Sequence, residues 1–234
     1  MVEREQIVDG KYFFPNPHAT RYFFGPSAIP LKKGEGYFQN AYILANSVQI
    51  GVTDNFSMGG GIGIPFLFFI TPKLCYRVGK NVYMGGGILF ATTISSDLGF
   101  GMGVAYGSLT LGNNENNFTI STGWGAIKQD TYNSQTNDYT NRWELARNPI
   151  FTFSGMVRIA RKCSLISENW VFATKDYDNK FENSNSYTYV YHALISGGFR
   201  LMGEKNSFDL AIIVPLVTDG TTFGFPYLDY VFKF

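Results

Sequence analysis

The residue types that most often carry out chemistry in proteins are few in this chain and widely spaced. It has two histidines, His18 and His192, and two cysteines, Cys75 and Cys163. The cysteines match no metal-binding or redox spacing, so we expect two structurally inert thiols rather than a disulfide. There is no G-x-S-x-G nucleophile elbow, and the glycine runs 59–61 and 85–87 do not form a G-x-G-x-x-G loop. We therefore predict no catalytic constellation, no metal site and no cofactor, with His192 as an interior residue rather than a general base.

The charged side chains offer a different chemistry, the attraction of ions. The net charge of +1 argues against a nucleic-acid binder, since such proteins carry a basic face. Several charges nevertheless share one face of alternating segments. These are Arg21, Lys73, Arg77, Arg158, Glu168, Arg200, Asp209, Asp229 and Lys233. If that face lines a passage, its basic majority predicts a constriction that attracts small anions. The alternative is that these charges pair across the lumen and fill it.

The segments that must position these residues are rich in aromatic and β-branched residues and are separated by turns. Short turns, at 53–55, 79–81, 113–116, 161–162 and 204–206, alternate with longer or more variable connections. The longest of these connections, 128–147 and 175–186, are rich in Asn, Asp, Ser, Thr and Tyr, which favour solvated loops. Outer-membrane barrels place short turns on the periplasmic side and long loops outside. The same arrangement would put all the short turns on one rim.

The two faces of each segment decide the fold class. Phe208, Leu210 and Ile212 form an apolar face, opposite a mixed face; across the segments that second face is mainly glycine, serine and threonine with occasional charge. A soluble barrel or sandwich needs charged residues outside, but only 16% of this chain is charged, mostly in turns and loops. Placing large residues against lipid and small or polar ones inside removes this difficulty. By the same rule we expect the large residues of 98–106, which alternate with glycine, to face lipid. A secreted β-sandwich or lipocalin-like barrel is the alternative.

Helical membrane insertion is not predicted. A transmembrane helix needs about 18 or more apolar residues, and the best run, 59–70, is shorter and contains glycines and Pro65. No apolar signal-peptide region follows Met1. We therefore expect the sequence to be the mature form of an exported protein.

Counting segments predicts a transmembrane antiparallel up-and-down β-barrel of about twelve strands, with both termini periplasmic. The predicted strands are 19–30, 37–52, 55–65, 67–78, 82–93, 98–112, 117–127, 149–160, 163–174, 187–202, 206–216 and 222–234. Strand 19–30 must ascend to pair with the descending final strand. Ten strands remain possible if 55–78 is not a hairpin. Residues 1–18 would form a periplasmic segment or plug, and 19–234 the barrel.

The end of the chain carries the sharpest signal. Leu228, Tyr230, Phe232 and Phe234 share one face, and the chain stops on an aromatic residue. This pattern resembles the C-terminal assembly signal of Gram-negative outer-membrane proteins. The resemblance implies a bacterial outer-membrane location, with membrane lipid and the barrel assembly machinery as partners. The aromatic, glycine-rich style also loosely resembles uncharacterised barrels of Bacteroidota, which implies no specific activity.

The leading functional hypothesis is a narrow channel or transporter for small solutes with a weak leaning toward anions. The alternative is a non-conducting structural or accessory barrel that presents outer loops to protein partners, and an enzyme ranks third. Asn40 and Asn46, which fall on an apolar face, favour the alternative slightly. The possible partner contacts are Phe66, Leu67, Phe68, Phe69, Tyr132, Tyr139 and Trp143.

Overall fold

The computed structural model describes residues 7–8, 10–63, 67–93, 100–133, 138–177, 187–216 and 223–234. Two short strands, β1 (Ile7–Val8) and β2 (Lys11–Tyr12), form a separate hairpin. All other strands belong to one antiparallel sheet. They are β3 (Gly36–Ala41), β4 (Ala45–Gly51), β5 (Phe56–Gly63), β6 (Leu67–Ile70), β7 (Lys73–Gly79), β8 (Val82–Thr93), β9 (Gly101–Gly112), β10 (Asn116–Asn133), β11 (Asp138–Leu145), β12 (Ile150–Ala160), β13 (Cys163–Tyr177), β14 (Tyr187–Met202), β15 (Asn206–Leu216) and β16 (Phe225–Lys233).

The sheet closes on itself because the last strand, β16, pairs with β3. Strands β6 and β7 lie end to end along β8, and β11 and β12 lie end to end along β10. Each of these pairs therefore occupies one position in the wall. The result is a closed antiparallel barrel of twelve wall positions, which confirms the predicted fold class. The ten-strand alternative is wrong, since β5 pairs with both β6 and β7.

The connections alternate between two rims. Short turns at 52–55, 80–81, 113–115, 161–162 and 203–205 define what we call the turn rim, where the chain also ends. The C-terminal ends of β3, β5, β8, β10, β13 and β15 define the opposite loop rim. All the turns that were predicted to be short therefore lie on one side of the barrel.

Large apolar side chains cover the outside of the barrel. On β15, Phe208, Leu210 and Ile212 are exposed, while Ser207 and Asp209 are buried inside. The same alternation gives β12, β14 and β16 an apolar outer face. Such a belt would be unfavourable in water and fits a hydrocarbon environment. Within the described ranges, no helix is long and apolar enough to cross a membrane.

The first strand of the barrel lies elsewhere than the sequence indicates. Residues 19–30 form no strand of the sheet, and 37–52 is not one strand but the hairpin β3–β4. Its turn, 42–44, contains no Gly, Pro, Asn or Asp, and Tyr42 and Ile43 take positive φ angles of 53° and 66°. Such angles are uncommon for bulky and β-branched residues, so the turn has no sequence signal. One predicted strand is absent and another is in fact two strands, so the number of wall positions is still twelve.

The faces of β9 are also the reverse of the prediction. Val104 pairs with Leu89 on the inner face, whereas Gly103 pairs with Phe90, which is exposed on the outer face. Large inner side chains fit here because neighbouring inner positions are glycines. A Cβ on Gly87 would lie 2.6 Å from the hydroxyl of Tyr106. The lumen beside these strands is therefore filled by side chains of β9 rather than by those of the neighbouring strands.

The two lipid-facing asparagines form a pair. Asn40 and Asn46 are directly opposite in the β3–β4 hairpin, and Asn40 Nδ2 donates to Asn46 Oδ1 at 2.6 Å. Each side-chain amide thus provides the other with the hydrogen-bond partner that hydrocarbon lacks. The pair therefore explains the break in the apolar pattern without a register slip.

We expect Asn40→Leu to destabilise the barrel by about 1–3 kcal/mol, because Asn46 loses its partner in an apolar environment. The double variant Asn40→Leu/Asn46→Leu should recover much of that loss. Urea unfolding of the protein in lipid vesicles measures both. A double variant less stable than the single one would contradict this account.

Candidate functional site

Residues 13–31, which we call the lumen segment, lie inside the barrel. Although they form no strand of the wall, most of them are buried. The only backbone bonds within the segment are local ones, such as Tyr22 N–H to Gly25 O at 2.9 Å. Buried backbone groups need partners, and here the inward-facing side chains of the wall supply many of them. The segment is therefore bound to the lumen mainly through side-chain contacts.

Four buried charges form the centre of the lumen, and we call them the charge cluster. Arg21 of the lumen segment lies 2.9 Å from Asp209 of β15 and 2.9 Å from Asp229 of β16. Arg200 of β14 binds Asp209 at 2.7 and 2.8 Å. Two guanidinium groups thus balance two carboxylates. Pairing of this kind is what allows charges to be buried.

Arg200 also holds the backbone of the lumen segment. Its guanidinium donates to the carbonyl oxygens of His18, Arg21 and Tyr22 at 2.9, 3.3 and 2.9 Å. Arginine has five donors in a fixed plane, so a single side chain can contact the segment and Asp209 together. Arg200 is fully buried. It is one of three wall residues, with Glu168 and Lys73, that each make three polar contacts to the segment.

Glu168 of β13 holds the tip of the lumen segment. Its carboxylate accepts the backbone N–H groups of Phe23, Phe24 and Gly25 at 2.8, 3.0 and 2.9 Å. It also accepts the indole N–H of Trp170 at 2.8 Å. Successive N–H groups that converge on one anion form a nest. Here a carboxylate of the wall occupies that nest.

The opposite side of the lumen uses a lysine and several hydroxyl groups. Lys73 Nζ donates to the carbonyl oxygens of Thr20 and Ser27 at 3.4 and 3.1 Å. Thr110 Oγ1 of β9 accepts the N–H of Ala28 at 2.7 Å. The hydroxyl of Tyr22 contacts Asn117 and Thr119 of β10, each at 2.6 Å. The segment is therefore bound on several sides of the barrel.

Three of the predicted lumen cations lie nearer the turn rim. Arg158 pairs with Glu115 at 2.6 Å and donates to the carbonyl of Phe14 at 2.8 Å. Lys233 pairs with Glu35 at 2.9 Å. Burial raises the pKa of Glu35, but hydrogen bonds from Lys233 and the Lys32 amide outweigh it, so the pKa lies below its usual value. Arg77 is exposed; it donates to the nearby Gly79 carbonyl at 3.3 Å and lies over the ring of Tyr83, 6.0 Å from its centroid.

The structure thus brings most of the nine predicted charges together. Those that contact the lumen segment or belong to the charge cluster are Arg21, Lys73, Arg158, Glu168, Arg200, Asp209 and Asp229. Lys233 and Arg77 stand apart from the segment. Sequence reasoning missed the segment's role and its uncharged wall partners. Alternation places Thr110 and Thr119 on inner faces, but it carries no signal for what they bind.

The other predicted contact residues are distributed over the loop rim and the outer surface. Leu67 and Phe69 share the inner face of β6, and Phe68 is on its exposed outer face. Trp143 is exposed and packs beside Phe90, with ring centroids 6.1 Å apart. Tyr132 and Tyr139 are opposite in the β10–β11 ladder, while Phe66 lies outside the described residues. Contact of any of these with a protein partner stays a prediction.

The remaining predictions concern single residues. Leu228, Tyr230, Phe232 and Phe234 are exposed on the outer face, consistent with lipid contact; their role in assembly stays a prediction. His192 lies on an inner face and its Nε2 is 2.7 Å from Thr174 Oγ1. Cys75 and Cys163 are free. Among the described residues, no group of three or more His, Cys, Asp or Glu side chains is placed to hold a metal ion.

Comparison with solved structures relates this architecture to a porin. The structure of the NanC porin in a rhombohedral crystal form aligns with a TM-score of 0.50, covering 85% of this chain and 96% of the porin. The sequence identity is 11%, so the likeness concerns the fold. No family model matches the sequence, and no curated protein matches it significantly. The chain thus has the fold of a porin-like transmembrane β-barrel, with a segment of its own chain inside the lumen.

Proposed function

We propose that this protein is a channel for small solutes in the bacterial outer membrane, closed by its lumen segment in the conformation described above. The turn rim faces the periplasm. One observation carries the proposal: the segment that lies inside the lumen shares no strand ladder with the wall. Displacing residues 13–31 would break side-chain contacts, yet the pairing of β3 with β16 would remain. A closed barrel with a removable internal segment is suited to gating.

A weak preference for anions is expected of the open state only. With the lumen segment in place, Arg200 is neutralised by Asp209, and Arg21 lies between both aspartates. With the segment displaced, Arg21 leaves the cluster. The predicted wall charges are then five cations against three carboxylates, namely Lys73, Arg77, Arg158, Arg200 and Lys233 against Glu168, Asp209 and Asp229. Glu115 and Glu35 still neutralise Arg158 and Lys233 near the turn rim. The net charge of the open lumen is therefore small, which is why only a weak preference is expected.

The second candidate function is a non-conducting accessory barrel, and the charge cluster favours it. Breaking a buried ion pair by removing one partner costs about 3–5 kcal/mol. Releasing the lumen segment requires Arg21 to leave two carboxylates, so spontaneous opening would be rare. In this version the barrel serves to present Tyr132, Tyr139 and Trp143 to a partner. In both versions Leu228, Tyr230, Phe232 and Phe234 are recognised by the assembly machinery.

The test is ion current across a planar bilayer for three forms of the protein. The full chain should be mostly silent. A chain lacking residues 1–31 should give discrete steps with a weak anion preference in a salt gradient. The third form is Ala28→Cys/Thr110→Cys with the native cysteines replaced by alanine. The Ala28 N–H donates to Thr110 Oγ1 at 2.7 Å, so the two residues are neighbours. Once formed under oxidising conditions, the disulfide should abolish openings until a reductant is added.

Each outcome decides between the two candidates. A truncated chain that has demonstrably inserted as a folded barrel and stays silent would rule out the channel and favour the accessory barrel. Equal currents from the oxidised and the reduced disulfide form would show that the lumen segment is not the gate. Should truncation prevent folding, the disulfide form still tests the gate in a complete chain.

A further inference from the structure

The half of the lumen toward the loop rim differs from the half that holds the charge cluster. Toward the loop rim, several inward-facing residues of β8, β9, β13, β14 and β15 are apolar. Six of them, which with Phe24 we call the apolar cup, are Leu89, Val104, Trp170, Phe172, Leu194 and Ile213. Membrane barrels usually have a polar interior. An apolar inner wall is therefore unusual for a passage that carries hydrated ions.

The apolar cup is lined but not filled. Its six wall residues are only partly buried, and the ring of Phe24, at the tip of the lumen segment, is 57% exposed. Among the side chains described on β13, β14 and β15, none of the inner positions beyond Glu168, Arg200 and Asp209 is charged. When an apolar ligand covers such a surface, apolar area is removed from water, which is favourable.

The cup is continuous with the lipid-facing surface at the β3–β4 hairpin. The ring of Tyr227 lies between those of Phe24 and Tyr42, with centroid distances of 4.7 and 5.5 Å. Tyr42 begins the hairpin turn, in which Ile43 and Leu44 are 82% and 52% exposed. Continuous aromatic packing therefore joins the floor of the cup to the hairpin, with Tyr227 fully buried between the two exposed rings of Phe24 and Tyr42.

The edge of the wall at this point is adapted to lipid. Strand β16 extends beyond the end of β3, whose last residue, Ala41, pairs with Asp229. An unpaired strand edge is not tolerated in hydrocarbon. Here Pro226 has no N–H group to leave unpaired, and its carbonyl accepts the hydroxyl of Tyr42 at 2.7 Å. The step in the wall can thus remain open toward the bilayer.

We propose that the apolar cup binds the hydrocarbon chain of a single-chain amphiphile that enters from the membrane over the β3–β4 hairpin. The chain would lie on Phe24 and along the apolar wall. The polar head would lie toward the loop rim, near the hydrogen-bonded pair Thr174 and His192. This site does not depend on channel opening, because the cup is lined while the lumen segment is in place.

The test uses the positions of two tryptophans. Trp170 faces the cup, whereas Trp124 is 48% exposed on the outer face. The protein is placed in nanodiscs of unbrominated lipid and titrated with bromostearic acid, whose bromine atoms quench indole fluorescence. A single-tryptophan form that retains Trp170 (Trp124→Phe/Trp143→Phe) should show saturable quenching that stearic acid reverses. The form that retains Trp124 should show only gradual, non-saturable quenching from acid dissolved in the lipid.

A matched pair of glycine substitutions locates the site. Gly125 is paired with Val104 on the inner wall, and a Cβ there meets nothing closer than 3.7 Å. Gly155, on the outer face, has the same 3.7 Å clearance. Gly125→Phe should abolish saturable quenching of Trp170, and Gly155→Phe should leave it unchanged. Quenching of Trp170 that never saturates, or that survives Gly125→Phe in a folded barrel, would overturn the proposal.

Discussion

Replacing Arg200 by methionine is expected to destabilise the barrel by about 3–5 kcal/mol, the cost of breaking a buried ion pair on one side. Methionine keeps much of the apolar stem but removes every donor. Asp209 then keeps only Arg21, the His18 carbonyl loses its partner, and the Tyr22 carbonyl keeps only its bond from Arg21. Urea unfolding in vesicles measures the loss. Faster proteolytic cleavage within residues 13–31 would show that the lumen segment has loosened.

Arg77→Met is the matched control for this prediction. Arg77 is also an arginine on an inner face near the turn rim, but it is exposed and contacts no residue of the lumen segment among those described. We expect its loss to change the free energy of unfolding by less than about 0.5 kcal/mol. Similar effects of the two substitutions would mean that the charge cluster does not stabilise the protein.

Much of the wall was predictable because strand periodicity is simple. Where large and small residues alternate strictly, as in β15 and β16, the inner and outer faces follow directly from the sequence. This placed Arg200, Asp209 and Asp229 in the lumen, and the structure shows that they belong to one cluster. The alternative that the charges pair and fill the lumen also described part of this arrangement. Their pairing includes Arg21, which the sequence assigned to a strand.

The lumen segment could not be recognised because its composition resembles that of a strand. Aromatic residues such as Tyr22 and Phe23 are as common in membrane strands as in a packed interior. What distinguishes the segment is its set of contacts with Glu168, Arg200 and Thr110, which are distant in sequence. Local patterns carry no signal for contacts of that kind. The same limit explains β9, whose faces depend on the glycines of neighbouring strands.

Replacing Glu168 by leucine is expected to cost about 3 kcal/mol. The fully buried amide of Phe23 loses its acceptor at a cost of about 1–3 kcal/mol, and three partly buried donors, which water reaches more easily, add smaller losses. The donors are the amides of Phe23, Phe24 and Gly25 and the indole of Trp170. Leucine fits a strand and is apolar, so loss of strand propensity would not explain the effect. Urea unfolding in vesicles measures the loss of stability, and a shift in the emission of Trp170, in the form lacking the other two tryptophans, reports the change at the nest.

Glu168→Gln separates the loss of the acceptor from the loss of the charge. The glutamine amide keeps one oxygen that can accept two of the N–H groups, but its NH2 group must face the other donors. We expect a loss of stability intermediate between the wild type and Glu168→Leu. A glutamine variant as stable as the wild type would mean that one oxygen is enough to hold the tip of the lumen segment. A leucine variant of unchanged stability would mean that water replaces the carboxylate in the nest. The tip would then be held through the Phe23 carbonyl, which accepts hydrogen bonds from Tyr227 and Gln39.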